Sequence, residues 1–134
     1  MVALVVLSVG MLGIAGLFVT TLRSGGGAIY RMQAVNLAAD LADRIRANRT
    51  ANVAYAGAAA DNNCYGAAAV ADCTPAQMAA NDLLVWQNQV AQVLPAGNSV
   101  VAVNGAAVPY TYTITITWIE QGGAQMNYVM TLQI

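Results

Sequence analysis

Hydrophobic positions follow three patterns along the chain. Met1 to Leu22 carries no charge, and sixteen of its positions are Met, Val, Ala, Leu, Ile or Phe; the other six are Ser8, Gly10, Gly13, Gly16, Thr20 and Thr21. As a helix rising ~1.5 Å per residue this run is roughly 33 Å long, enough to cross a hydrocarbon layer of ~30 Å. It is expected to span a membrane. From Ala28 to Asn48 the apolar residues Ala34, Leu37 or Ala38, Leu41 and Ile45 recur at helical spacing, which predicts an amphipathic helix. One helix thus changes environment halfway. Its other face holds Arg31, Asp40, Asp43, Arg44 and Arg46, read as solvated, with Asp40 and Arg44 an i,i+4 pair. Between the halves stand Gly25, Gly26 and Gly27. Each costs a helix about 1 kcal/mol relative to alanine, so the junction is expected to melt or bend.

The rest of the chain predicts a small head. Arg49 to Cys73, rich in Ala, Asn and Gly, is expected to be an irregular loop. Thr74-Pro75-Ala76-Gln77 is a capping box: Thr74 caps, proline takes the first helical position and Gln77 reaches back. The helix it starts has the stripe Ala79, Leu83, Trp86, Val90 and Val93, and stops at Leu94-Pro95-Ala96-Gly97. Trp86 is expected to anchor the core. From Ser99 the period becomes two. Val101 and Val103 lead to a turn at Asn104-Gly105; Tyr110, Tyr112, Ile114, Ile116 and Trp118 then alternate with threonines. Gln121-Gly122-Gly123 turns the chain into Met126, Tyr128, Met130, Leu132 and Ile134, predicting a hairpin and a three-stranded antiparallel meander. The amphipathic half of the first helix is the long apolar stripe left to cover that sheet. The expected class is α+β.

Composition narrows the chemistry. Hydrophobic residues make up 58% of the 134 positions and charged ones 8%, far below the ~25% usual in soluble domains. Histidine and lysine are absent, Glu120 is the single glutamate, and the five aspartates show no paired catalytic spacing. An enzyme is not expected. There is no phosphate-binding glycine loop, no metal-ligand set and no basic surface for nucleic acid, so no cofactor, metal, nucleic-acid or small-molecule partner is expected. Cys64 and Cys73 would close a ten-residue ring, and a disulfide is favoured over a metal pair lacking further ligands. Gly10, Gly13 and Gly16, with Ser8, leave the apolar helix thin enough for close helix approach; simple tolerance of glycine is the other reading.

The positive-inside rule, applied to Arg23 and Arg31, would put the head in the cytoplasm. Two considerations oppose it. The chain opens in mid-pattern at Met1, as though a charged leader preceded it, and a reducing cytoplasm disfavours a disulfide.

The run MVALVVLSVGMLGIAGL resembles the N-terminal helix of type IV pilins just after the leader-peptidase site, and AVNLAADLADRIRANR resembles the minor pilin PilV family in particular. Cys64 and Cys73, the spacing of Asp82, Trp86 and Leu94-Pro95, and the strand Tyr112 to Trp118 are further points of similarity. The resemblance implies a pilin-like α+β fold, with residues 1–50 as the pilin helix (1–22 spanning, 28–48 amphipathic) and 51–134 as the head that the helix completes. It implies a structural subunit held in the inner membrane with a periplasmic head, then placed at the tip of an extracellular pilus. Its implied partners are other minor pilins, the major pilin and a tip-located adhesin, with a part in priming assembly. It also implies a basic leader and a registering glutamate upstream of Met1. The alternatives are a minor pseudopilin of type II secretion and a DNA-uptake pilin.

Overall fold

The computed structural model describes residues 2–65 and 72–134, with side chains at all of these except 4, 19, 20 and 22–25. Helix α1 runs from Val2 to Ala47. A 3-10 helix over Arg49–Ala56, helix α2 over Pro75–Val93 and strands β1 (Asn98–Asn104), β2 (Thr111–Ile119) and β3 (Gln125–Gln133) follow. The strands form one antiparallel sheet in the order β1-β2-β3, with Val101 opposite Ile114 and Ile114 opposite Met130. This is the expected α+β meander, with α1 on its apolar face.

Period-two patterning explains the sheet. Tyr112, Ile114, Ile116 and Trp118 of β2 all point inward and are buried, meeting Ala34, Leu37, Ala38, Leu41 and Ile45 of α1 in one core. Leu83, Trp86 and Val90 of α2 join that core. The outward face carries no charge. Across it Val100, Thr115 and Val129 form one row, flanked by Asn98, Thr117 and Asn127 on one side and Ala102, Thr113 and Thr131 on the other.

The glycine junction is helical here, with α1 unbroken through 25–27, and two expectations about the connecting segments need correction. Glycine weakens a helix without forbidding helical dihedrals, so a helix anchored on one side can continue through it. The supposedly irregular segment opens with the 3-10 helix, kinked at Asn52 (φ 50°), because Tyr55 must turn back into the core, where it is 1% exposed. The β1–β2 connection is the longer segment 105–110, whose Tyr110 exchanges backbone hydrogen bonds with Ile134 (2.7 and 3.0 Å) and so extends the β2–β3 ladder. Among the described residues no helix is long and apolar enough to cross a membrane. The expected span over Met1–Leu22 includes positions outside that set, Met1 among them.

Candidate functional site

Asp82 lies on α2 three residues after Ala79 and four before Trp86, so the helical period turns it toward the buried stripe. It is 2% exposed. A carboxylate cannot stay there without partners, and three converge on it. Tyr55 donates its hydroxyl to Oδ2 at 2.7 Å, Tyr65 donates to Oδ1, and Arg44 Nη1 donates to Oδ1 at 3.2 Å. Arg44 also reaches Asp40 on its own helix at 3.0 Å. One side chain of α2 is thus tied to α1, to the 3-10 helix and to the disulfide segment. Beside it a hollow of about 380 Å³ is lined by Arg44, Asn48, Tyr65, Cys73, Pro75 and Asp82.

Burial and the Asp82 charge both oppose ionisation of the two phenols. They push the Tyr55 pKa well up and that of Tyr65 up to about 12. Burial by itself would lower the pKa of Arg44, but Asp82 and Asp40 outweigh it and raise it. The cluster gives a buried carboxylate three hydrogen-bond donors, one of them a guanidinium. Among the described residues, no three His, Cys, Asp or Glu side chains are grouped as metal ligands.

The disulfide segment is stitched to α2 on the side away from the sheet. Cys64 is bonded to Cys73. Ala60 N donates to Ala80 O at 3.0 Å, Asn62 N to Asn81 Oδ1 at 3.0 Å, and Asn62 Nδ2 to Gln77 O at 3.0 Å. Asn81, on a helix side that periodicity alone would leave in water, is 4% exposed for this reason. The α2 capping box has both its bonds, Gln77 N to Thr74 Oγ1 at 3.3 Å and Thr74 N to Gln77 Oε1 at 2.9 Å. Trp86 is fully buried, and its Nε1 donates to Leu37 O of α1 at 2.8 Å.

The remaining sequence candidates lie along α1. Ser8 donates its hydroxyl to Val5 O at 2.8 Å within its own helix. A Cβ at Gly10, Gly13, Gly16 or Gly26 would meet no heavy atom within 4 Å, whereas one at Gly27 would meet the Glu120 carboxylate at 3.0 Å. The surroundings of Gly25 lie outside the described residues. The reading of α1's charges as a solvated face is corrected at Arg44, which is only 26% exposed, while Arg31 stays exposed and pairs with Glu120 at 3.5 Å. Sequence reasoning missed Asp82 as a hub, though its spacing from Ala79 and Trp86 was a usable signal. Nothing in the spacing points to Tyr55, Tyr65 or Glu120, whose partners are distant in sequence.

A long helix, half embedded in a small α+β head and half projecting, with its polar cluster spent on holding the head together, defines a filament-subunit architecture. A family model described as Tt1218-like, type IV pilin Tt1218, matches residues 16–84, about half of the chain. The protein belongs to that family of type IV pilins. No curated protein and no solved structure matches it.

Proposed function

We propose that this type IV pilin is a minor pilin of the PilV kind, taking part in priming of pilus assembly and in the tip complex. The observation that carries the proposal is the divided surface of α1. Val2, Val5, Val6, Leu7, Leu12 and Phe18 are each more than 60% exposed, while Ala34, Leu37, Ala38, Leu41 and Ile45 of the same helix are buried in the head. So large an exposed apolar array needs a cover. The inner membrane supplies one before assembly, with residues 1–22 as the span and the head, residues 51–134, in the periplasm. The helices of neighbouring pilins supply the other after it, since an apolar helix leaves lipid at low cost only for another apolar bundle. Ser8, whose hydroxyl is satisfied inside α1, suits both covers, and Gly10, Gly13 and Gly16 offer a thin side for close helix approach. Gly25, Gly26 and Gly27 then act as the hinge that lets the projecting half adjust to its neighbours. The partners are other minor pilins, the major pilin and a tip-located adhesin.

Deletion of the gene tests this. Surface pili and twitching motility are expected to fall sharply and to return on complementation. Normal piliation and motility in the deletion strain would refute it, and normal pili with lost protein secretion would reassign the chain as a minor pseudopilin.

A further inference from the structure

We propose that Glu120 is a clamp on α1: its carboxylate, seated against Gly27 and paired with Arg31, sets the head-side limit of the stretch in which the helix can open. The inference rests on the reading of Gly25, Gly26 and Gly27 as a hinge.

Glu120 directly follows β2, in the turn that leads to β3. The turn is fixed by backbone bonds from Glu120 N to Ala124 O (2.9 Å) and from Gly123 N to Glu120 O (3.0 Å), and Ile119 N is held by Pro95 O at 2.9 Å. A rigid strand end therefore delivers the carboxylate to one place on the helix. There a Cβ on Gly27 would lie 3.0 Å from both carboxylate oxygens and 3.1 Å from the carbon between them. A side chain there would push the carboxylate back by a few tenths of an ångström, so glycine lets Glu120 seat directly against the helix. One turn further on, Arg31 Nε lies 3.5 Å from Oε1. An exposed ion pair by itself stabilises little. Here, however, Oε1 is buried and accepts no hydrogen bond, which makes Arg31 its compensating charge.

The position of the contact gives it consequence. Gly26 has open space where its Cβ would be. Toward the head, the first fully buried side chain of α1 is Ala34, while Ala28, Ile29 and Met32 are exposed and Tyr30 is only partly buried. The clamp thus precedes the fully buried part of α1 by about two helical turns, with the partly buried Tyr30 packed against the core between them. Opening that starts in the glycines stops at Gly27 while Glu120 is seated, and runs on to Ala34 once it is removed.

Residue-resolved amide hydrogen exchange on the full chain in detergent micelles separates the two claims. In the wild type, fast exchange through 25–27 is expected to give way to at least tenfold slower exchange at Met32 and Gln33. In Glu120→Ala, Met32 and Gln33 are expected to exchange at least tenfold faster than in the wild type, with β2 and β3 amides unchanged. Gly26→Ala is expected to slow opening about fivefold by helix propensity without moving the boundary. A wild-type hinge whose boundary stays put in Glu120→Ala overturns the clamp alone. Slow exchange at 25–27 in the wild type overturns the hinge and the clamp together. If Glu120→Ala loses protection in β2 and β3, the test passes to Arg31→Ala, a change at an exposed side chain. There Met32 and Gln33 are expected to exchange at least threefold faster, and no change overturns the clamp.

Discussion

Asp82 shows how much one side chain can organise in a head this small. Its two oxygens accept from groups on three other segments, so its removal takes one partner each from Tyr55, Tyr65 and Arg44 together. Arg44 keeps Asp40 and partial access to water, which limits the loss. Asp82→Asn is expected to lower stability by about 1–3 kcal/mol, read as a shift in urea midpoint of the detergent-solubilised protein. The phenols give a second prediction. Both are held neutral in the folded state, with pKa values raised above the ordinary tyrosine value near 10, that of Tyr65 up to about 12. Their contribution is therefore fully present below pH 10 and is lost as pH rises from about 10 toward 12. Urea midpoints measured across that window are expected to fall, and Tyr65→Phe is expected to flatten the fall.

At the scale of elements, α2 is held on both sides. Its apolar stripe enters the core through Leu83, Trp86 and Val90, and its opposite side is roofed by the segment from Ala60 to Cys64. Trp86 also bonds to a main-chain carbonyl of α1, so Trp86→Ala removes packing and a hydrogen bond at once. A loss of about 3–5 kcal/mol is expected in the same denaturation measurement. Thr74→Ala, which removes the α2 cap and no packing, is expected to cost about 1 kcal/mol. A ratio near one between these two losses would mean that α2 is held by its own helicity and not by the core.

For the whole molecule, the disulfide and the Asp82 cluster act on one another. Cys64 precedes Tyr65, so the bond to Cys73 holds the chain where Tyr65 meets Asp82. Closing a ten-residue ring stabilises by roughly 2.5–3 kcal/mol on the chain-entropy model. Reduction with a dithiol is expected to remove up to that amount. Because the two features share a segment, the losses from reduction and from Tyr65→Phe are expected to be non-additive by at least ~0.5 kcal/mol in a double cycle. Strict additivity would show that the ring and the cluster stabilise independently. The projecting half of α1 takes no part in this head, and its valines and leucines stay exposed.

Local pattern carried much of the fold. Alternation from Tyr110 to Trp118 and from Met126 to Ile134, the capping box at Thr74 and the stripe from Ala34 to Ile45 each depend on residues a few positions apart, and each forms the element its period predicts. The charge-free run from Met1 to Leu22 and the lack of histidine and lysine likewise needed only the sequence. Tertiary structure decided what depends on distant partners: the placement of Asp82 among Arg44, Tyr55 and Tyr65, the burial of Asn81 under residues 60–64, and the seating of Glu120 on Gly27. Those pairs are separated by up to 93 positions, from Gly27 to Glu120. No local period encodes such a distance. It is set only when the sheet packs on α1 and brings the strand ends to fixed points along the helix.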